Sequence, residues 1–481
     1  MAFVNLLTKP KKYLATFRRK KSDAKLATDY EVHPASMLYR LCDWLGERTG
    51  LIILTPHLGV VGNCAEEVYF GLLKARQEGR KLLILWPYDL PWKLKFRLTN
   101  EEVVNIGSKY RAFPYCHAVT VAARLLLTAY FVFFRSISLL KRLIVGTHLN
   151  NVYRIPIIGA STLWQPPDVD GFSWEVVNNF DWPEQLGSEL EVYVEERKMR
   201  VAEGARARLG LPADSWFVCL HVRESGFRDT NTYKEGSVYS ERNADILNYI
   251  EAIKEITRRG GWVVRLGDAS MTRLPAMERV IDYPFTEEKS ALMDVYLISQ
   301  CRLYIGMMTG IYDVARLFQR PMIMTNMNNW LYTYPIKKED LGIAKHVYSK
   351  SKGRFLSLRE WIAEPWNAVS YSHPIGEDYV FHENSPDELK AVVVEFFNRG
   401  DNFGHSELQT QFDDWRIKRG RDIVSERMFL PEDVQLYYRK NITDYDLLER
   451  YRLASRLESA VGCMGSEFLH KNWESNVRNS Q

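Results

Sequence analysis

The sequence is poor in cysteine and has no large excess of either charge. Its 481 residues include 6 cysteines, none of which forms a CxxC pair. Two cysteines have a histidine close by, but neither pair has further ligands at zinc-site spacing, so we expect no structural zinc and a reducing, cytoplasmic setting. The net charge of +4 is small for this length, and it predicts no general affinity for nucleic acid.

Long apolar runs are also missing. The most hydrophobic window, residues 119–134, is interrupted by Arg124 and followed by Arg135. Because a membrane-spanning helix needs about 20 apolar residues, this window predicts a buried or interfacial helix. No apolar segment follows the charges near the N-terminus, as one would in a signal peptide.

The first 30 residues are distinguished by positive charge. Seven Lys or Arg residues precede the first acidic residue, Asp23, and Tyr13, Leu14 and Phe17 lie among them. Such a segment predicts peripheral contact with an anionic surface, here the inner face of the cytoplasmic membrane. A solvated, frayed terminus is the alternative.

Length and hydropathy pattern predict more than one α/β domain. A chain of 481 residues, 46% of them hydrophobic, is too long for one ordinary core. Residues 51–55, 65–76 and 81–86 have the patterns of a strand, a helix and a strand, with a glycine-containing turn after the first strand. This order predicts a βαβ unit, although its glycines lack the GxGxxG spacing of a dinucleotide site.

Strands and helices alternate again in the second half. We predict strands at residues 216–220, 262–266, 303–305 and 321–324, and helices at 188–208, 243–259, 290–300, 311–318 and from 385 onward. Ser188 and Glu191 have the spacing of a capping box, which predicts a helix start there. The alternation predicts a parallel, doubly wound sheet. Residues 330–380 have an irregular pattern, and residues 405–475 predict charged helices.

Side chains suited to chemistry follow three of the predicted strands. They are His221 and Arg223 after the first, Gly267 and Asp268 after the second, and Thr309 and Gly310 after the third. In a parallel sheet these three ends lie at one edge, where open α/β sheets bind ligands. Because an arginine fork and the N–H groups of a helix start both bind phosphate, their convergence predicts a phosphate ligand. For Arg223 alone, a surface salt bridge is the alternative.

The order of these motifs resembles a group of bacterial GT-B glycosyltransferases that are distantly similar to the α1,6- and protein O-fucosyltransferases with an HxR motif. The matching stretches are His221-Val-Arg223, Tyr239-Ser-Glu-Arg242-Asn243, Arg265-Leu-Gly-Asp268, Lys289-Ser290 and Ile305-Gly-Met-Met-Thr-Gly310. The resemblance covers about residues 215–330 and, more weakly, residues 51–86. The residues after the HxR-like stretch, Glu224-Ser-Gly226, depart from the fucosyltransferase pattern, so the resemblance does not assign GDP-fucose as the donor.

The resemblance implies a metal-independent GT-B enzyme that transfers a sugar from a nucleotide-sugar donor to a glycan, glycolipid or polysaccharide acceptor. It implies two Rossmann-like domains with parallel sheets facing across a cleft, and C-terminal helices closing the molecule. The expected boundaries are 1–30 for the basic segment, 31–185 for the acceptor domain, 186–400 for the donor domain and 401–481 for the closing helices. The nucleotide sugar is a substrate, and no cofactor is expected.

The donor side is predicted to comprise His221, Arg223, Arg242, Gly267, Asp268, Ser290, Thr309 and Gly310. By the family's pattern, Arg223 would hold the donor pyrophosphate and Asp268 would lie near the base or ribose. His221 is expected to orient its loop rather than to act as a base. Arg242 is either a second phosphate contact or the partner of a nearby acid such as Asp245.

An inverting transfer also needs a base near the acceptor hydroxyl. His57 is the first candidate, because it lies in a turn predicted to face the cleft, and a histidine that merely caps the next helix is the alternative. The other candidates for the base are Glu66, Glu67 and Glu224. His57-Leu-Gly59 matches the acceptor-side loop of the family, and Gly59, Gly62 and Asn63 are assigned to the acceptor side.

A metal site and two other functions are weighed against this interpretation. Asp168-Val-Asp170 resembles the metal-binding DxD of another glycosyltransferase class, but Asp444-Tyr-Asp446 repeats the spacing in a charged context, so we predict no metal. A sugar-nucleotide epimerase or hydrolase on the same scaffold would need acids and a histidine converging on the donor sugar. A non-catalytic subunit that binds a sugar nucleotide or glycan is the third reading.

Overall fold

The computed structural model describes residues 44–56, 60–88, 100–114, 116–145, 190–224, 240–328, 334–363, 379–425 and 460–473. The chain divides into two compact units, Met1–Val176 and Val177–Gln481. Three groups of predictions lie outside the described residues: the basic N-terminal segment, the two Asp-x-Asp stretches, and the boundary at residue 185. Within the described ranges, no helix is both long and apolar enough to cross a membrane.

The first unit contains the predicted βαβ arrangement. Strand β1 (Leu51–Leu54) and strand β2 (Lys81–Ile84) pair in parallel, and helix α1 (Val61–Gln77) connects them. A long helix, α2 (Ala118–Val145), follows. Leu127 of α2 packs with Ile53, Leu83 and Leu85 in one apolar cluster, so the helix covers the small sheet and completes its core.

The second unit is built on parallel strands. Its strands are β3 (Phe217–His221), β4 (Trp262–Arg265), β5 (Val280–Asp282), β6 (Leu303–Gly306), β7 (Met322–Met327), β8 (Leu341–Ala344), β9 (His346–Ser349), β10 (Arg354–Phe355), β11 (Tyr379–His382) and β12 (Cys463–Met464). Among the described residues, seven of them form a sheet in the order β12-β8-β7-β6-β3-β4-β5, and all its pairings are parallel. The prediction of a parallel sheet is confirmed.

The strand order of this sheet is that of a Rossmann fold. From β5 through β4, β3, β6 and β7 to β8, the six strands follow the doubly wound order, with the first strand of the set at the centre. The chain runs outward from β3 in one direction and from β6 in the other. The order therefore reverses between β3 and β6, which is the point where such sheets bind ligands.

Helices surround the sheet. They are α3 (Glu196–Arg208), α4 (Ile250–Arg258), α5 (Ala291–Gln300), α6 (Gly310–Leu317), α7 (Leu358–Ala363), α8 (Pro386–Arg399), α9 (Glu407–Ser425) and α10 (Ser466–Asn472). Helix α8 packs against α4, β7 and β8, whereas α5 packs against α3 and α6. Strands β3 and β6 are buried along their whole length, as strands covered on both faces should be.

Two helix starts follow the sequence signals. The Ser290 hydroxyl accepts a hydrogen bond from the Met293 N–H at the start of α5, at 3.2 Å. At the start of α8, Ser385 and Glu388 form a reciprocal capping box followed by a proline. Both caps satisfy N–H groups that have no partner within the helix, which is why these residues mark the starts correctly.

The predicted capping box at Ser188 and Glu191 is wrong. Helix α3 begins at Glu196, and Glu191 has a φ of 47°, which a helical residue cannot have. The preceding Leu190 is fully buried and its N–H donates to the Gln319 side chain at 2.9 Å. The burial of Leu190 and its hydrogen bond to Gln319 have overridden the local helix signal.

The irregular structure predicted for residues 330–380 is also only partly correct. This stretch contains β8, β9 and β10, the helix α7 and the start of β11. Strand β8 joins the main sheet beside β7, and β10, β9 and β11 form a small antiparallel sheet. These strands have two to four residues, too few to produce a clear alternation or an apolar run.

Candidate functional site

The site lies at the carboxyl ends of β3 and β6. His221 is the last residue of β3 and stands directly opposite Gly306, the last residue of β6, in the parallel ladder. Because the strand order reverses between these two strands, this edge is where doubly wound sheets bind ligands. The first and third predicted strand ends are therefore neighbours, as the sequence analysis expected.

His221 is a buried, neutral histidine. Its side chain is 8% exposed, and its Nδ1 lies 3.3 Å from the Thr309 hydroxyl at the start of α6. Burial, followed by the positive charges of Arg265 and Lys289, lowers the pKa of His221 from 6.5 to about 3. A neutral imidazole hydrogen-bonded to Thr309 links the end of β3 to the start of α6.

The start of α6 presents its backbone at this edge. Thr309 is the N-cap residue, with extended backbone angles of φ −143° and ψ 157°, and its hydroxyl does not cap the helix. Gly310 and Ile311 form the first turn and are partly exposed. The first N–H groups of a helix have no partner within it and carry the positive end of the helix dipole, so this turn is suited to an anion.

Arg242 is hydrogen-bonded to Met308, the residue just before the N-cap of α6. Its Nη2 donates to the Met308 carbonyl oxygen at 2.7 Å, and its Nε donates to the same oxygen at 3.2 Å. Asp245, the predicted alternative partner of Arg242, accepts a hydrogen bond from the Leu247 N–H and caps a short 3₁₀ helix. The guanidinium of Arg242 is thus held beside the N-terminus of α6.

Arg223 contacts the segment that leads into the same helix start through its main chain. Its N–H lies 3.2 Å from the Met307 sulfur, and its carbonyl accepts from the Ala244 N–H at 3.0 Å. Its guanidinium donates to the side-chain oxygen of Asn243. Arg223 and Arg242 therefore both contact the segment Met307–Met308 that leads into α6.

A buried lysine supports this arrangement, and sequence reasoning missed it. Lys345 follows β8, is 4% exposed, and donates from Nζ to the Asn243 carbonyl oxygen at 2.6 Å. Burial lowers the pKa of Lys345 from 10.5 to about 8, and the nearby positive charge of Arg223 contributes. Asn243 is thus fixed through its carbonyl by Lys345 while its side chain contacts Arg223.

The end of β4 is organised by a fully buried arginine. Arg265 donates to the Asp282 carboxylate at 2.9 Å and to the Thr272 carbonyl at 3.0 Å. Glu224 accepts from the Thr272 N–H at 2.6 Å, and burial raises the pKa of its carboxyl. These contacts connect the segment after β3 with the segment after β4, so Glu224 has a clear positioning role.

Gly267 and Asp268 follow Arg265. Gly267 has a φ of 145°, and a Cβ there would lie 2.2 Å from the Met271 sulfur, so only glycine fits. One oxygen of Asp268 accepts from the Ser270 N–H at 2.8 Å, while the other is buried and has no hydrogen-bond partner among the described residues. The negative charge of Asp268 acts on His221 and partly offsets the lowering of its pKa.

Ser290 and Asn326 both form hydrogen bonds that stabilise the fold. The Ser290 hydroxyl caps α5, and the adjacent Lys289 contacts Asp294. Asn326, in β7, has a φ of 49° and exchanges two hydrogen bonds with Asn384, at 2.7 and 2.8 Å. Both residues stabilise connections near the sheet edge.

The predicted acceptor-side residues belong to the first unit. Gly62 and Asn63 lie in the first turn of α1, directly after the turn that follows β1. His57 and Gly59 lie outside the described residues. Of the two other predicted bases on α1, Glu67 is buried and Glu66 is partly exposed.

No metal site is evident in the part of the chain that the structure describes, because no group of three or more His, Cys, Asp or Glu side chains could hold an ion there. The prediction of metal-independent chemistry stays a prediction.

Comparisons with known proteins find little. No protein-family model and no curated protein matches the sequence. Among solved structures, a glycosyl transferase family 9 protein from Veillonella parvula DSM 2008 matches with a TM-score of 0.32 and 12% sequence identity, over 57% of this chain and 79% of that chain. A likeness this weak carries no argument, so the functional case rests on the site itself.

Proposed function

We propose that the protein is a GT-B glycosyltransferase that takes a sugar from a nucleoside diphosphate donor. The observation that carries the proposal is that the Arg242 guanidinium is hydrogen-bonded to the Met308 carbonyl oxygen, just before the N-terminus of α6. Arg223 lies nearby, because its main-chain N–H contacts the sulfur of Met307. A guanidinium beside a helix start, with a second arginine on the segment that follows β3, matches the charge of a diphosphate at the reversal point of a Rossmann sheet.

The same groups suit the chemistry of sugar transfer. When the glycosidic bond to the donor breaks, negative charge grows on the leaving nucleoside diphosphate. Fixed guanidinium groups and backbone dipoles stabilise that charge without needing to reorganise. In this proposal Arg223 and Arg242 bind the phosphates together with Thr309 and Gly310, and no metal takes part.

The remaining roles follow from position. The buried, unpartnered oxygen of Asp268 would accept a hydrogen bond from the base or ribose of the donor. Neutral His221 would hold the start of α6 beside the end of β3 through its hydrogen bond to Thr309. The acceptor, a glycan, glycolipid or polysaccharide, would bind to the first unit, where His57 is the proposed base.

A sugar-nucleotide epimerase or hydrolase is the second candidate, because a histidine and acids lie at one edge. His221 ends β3, Glu224 follows it, and Asp268 acts electrostatically on His221. Acids and a histidine near the donor sugar are what such chemistry requires. Release of nucleoside diphosphate that does not increase with any acceptor would favour this candidate over the transferase.

A thermal-shift screen with GDP, UDP, dTDP and CMP tests the proposal. A ligand at about 100 times its dissociation constant stabilises the folded state by about 2.7 kcal/mol. We expect one nucleoside diphosphate to raise the melting temperature of the wild-type protein and to have little effect on an Arg242→Ala variant. Arg200→Ala, which removes an exposed arginine paired with Glu196, is the control. If none of the nucleotides shifts the wild-type protein, the proposal is wrong.

A transfer assay then separates the enzyme from a binding subunit. The nucleotide sugar of the preferred base is incubated with glycan and glycolipid acceptors, with and without EDTA. We expect acceptor-dependent release of nucleoside diphosphate that EDTA does not reduce. Binding without turnover of any donor would instead support the non-catalytic reading.

A further inference from the structure

Helix α2 is fixed to the first unit by one of its faces. Thr120 and Leu127 on this face are buried, and Leu127 packs into the apolar cluster beneath the helix. The inner face supplies part of the core of the small sheet, as described above. The helix therefore has a defined orientation, and its opposite face cannot also turn toward β1 and β2.

Arg124 also holds α2 against the first unit. Arg124 is buried, and its Nε donates to the Trp86 carbonyl oxygen at 2.8 Å. Its guanidinium lies 3.9 Å from the centre of the Trp86 ring and 4.0 Å from that of Tyr88. The Tyr88 N–H donates to the Thr128 hydroxyl at 2.8 Å. Arg124, the charged residue within the apolar window 119–134, therefore points toward the body of the first unit.

The outer face of α2 is apolar and exposed. Successive helix residues are rotated by about 100°, so the exposed positions fall within an arc of about 120°. Among the described side chains of α2, these positions are Ala118, Val119, Ala122, Leu125, Leu126, Ala129, Phe133, Ser136 and Ile144. Leu126 is 74% exposed and Ile144 is 72% exposed. Serine is the one polar residue type on this face.

Exposed apolar residues elsewhere in the described ranges are more scattered. Val201 on α3 and Leu247 in the 3₁₀ helix Ile246–Tyr249 are examples. Isolated exposed apolar residues are normal in soluble proteins, whereas a contiguous patch indicates an interaction surface. The outer face of α2 is such a patch.

Charge decides what this surface binds. The sequence of α2 contains four basic residues and no acidic one, and residues 1–22 contain seven Lys or Arg and no Asp or Glu. A second copy of α2 has the same basic residues and no acidic one, so it offers no complementary charge. An anionic lipid surface offers both an apolar interior and the opposite charge.

We propose that the outer face of α2 inserts into the interfacial layer of an anionic lipid bilayer. The helix lies in the plane of the membrane, because its inner face is committed to the core of the first unit. The side chains of Leu125, Leu126 and Ile144 enter the acyl boundary. No residue of the phosphate-binding edge takes part, so this proposal stands or falls independently of the proposed function.

Co-sedimentation of the full chain with lipid vesicles tests the proposal. The vesicles contain either phosphatidylcholine alone or phosphatidylcholine mixed with phosphatidylglycerol. The test variant is Leu126→Glu/Ile144→Glu, and the control is Val201→Glu/Leu247→Glu, which makes the same charge change at exposed apolar positions of the second unit.

We expect the wild type and the control to bind the anionic vesicles, and to bind phosphatidylcholine vesicles more weakly. The test variant should lose at least about tenfold in partition coefficient, since burial of even one leucine-sized side chain is worth at least that factor. Added salt should weaken the binding of the wild type.

Three outcomes would overturn the proposal. One is that wild type and test variant bind the vesicles equally, or that neither binds. Another is that the wild type is a dimer in solution and the test variant a monomer, which would make the outer face a subunit interface. The last is that the test variant melts well below the control, which would mean that another part of the chain covers this face.

Discussion

Arg242 donates two hydrogen bonds to the carbonyl oxygen of Met308, at 2.7 and 3.2 Å. Met308 precedes the N-cap of α6, so this contact positions a permanent positive charge beside the positive end of a helix dipole. A guanidinium and a helix N-terminus at one place both favour the binding of an anion.

Arg242→Lys should weaken nucleotide binding although the charge is kept. A lysine cannot reproduce the planar fork that contacts Met308 and still present N–H groups to a phosphate. We expect the dissociation constant for the preferred nucleoside diphosphate to rise by about tenfold, measured by isothermal titration calorimetry. Arg200→Lys, at an exposed position, is the matched control. Equal affinities of wild type and Arg242→Lys would remove Arg242 from the site.

Lys345→Met should also weaken binding, although Lys345 is buried away from the crevice surface. Without its hydrogen bond to the Asn243 carbonyl, Asn243 loses the group that fixes it against Arg223. We expect about a tenfold higher dissociation constant for the same nucleotide. Lys254→Met, at an exposed lysine paired with Glu251, should bind like the wild type. If Lys345→Met lowers only the melting temperature and leaves affinity intact, Lys345 is purely structural.

Acid should destabilise the protein through His221. The pKa of this residue is about 3 in the folded protein, compared with 6.5 when unperturbed. Between these values the unfolded chain binds a proton that the folded protein does not, so folding stability falls as the pH falls from about 6.5 toward 3. Chemical denaturation of wild type and His221→Gln should show a difference in free energy of unfolding that shrinks across this range. A difference independent of pH would contradict the assignment of a neutral His221.

His405 should give the opposite pH dependence of folding stability to that of His221. Its Nδ1 lies 2.7 Å from the Asp413 carboxylate, and hydrogen bonds to Asp413 and then to Cys463 raise its pKa from 6.5 to about 10. The stabilisation is fully present below about pH 6.5 and is lost as the pH rises toward 10. The stability difference between wild type and His405→Asn should therefore be larger at about pH 6 than at about pH 9. Comparing the two proteins at each pH cancels the contributions of groups unaffected by the substitution.

The sequence predicted the core of the second unit because its strands are short apolar runs followed by polar residues. Once Trp216–Leu220 and Leu303–Ile305 are recognised as buried parallel strands, His221 and Thr309 must come to the same edge. The spacing of these runs in the sequence does not predict that β3 and β6 are direct neighbours. Sheet order depends on which strands pair, and the paired strands are separated by long stretches of chain.

The residues that sequence reasoning missed act through tertiary contacts. Lys345 follows a four-residue strand that contains a glycine, and nothing in that stretch indicates a buried cation. Asn243 matters because its carbonyl oxygen contacts Lys345, 102 residues later in the chain, while its side chain contacts Arg223, 20 residues earlier. The misplaced start of α3 has a similar cause, since buried Leu190 prevents the local capping signal from taking effect.

The central claim is that Arg223 binds the phosphates of a nucleotide at the edge between β3 and β6. Its most direct test is calorimetric titration of the preferred nucleoside diphosphate into wild type, Arg223→Ala and the control Arg258→Ala, an exposed arginine paired with Glu255. A lost charge-assisted hydrogen bond predicts a dissociation constant about 10 to 100 times higher for Arg223→Ala and no change for the control. If Arg223→Ala binds the nucleotide as tightly as the wild type does, the account of this site is contradicted.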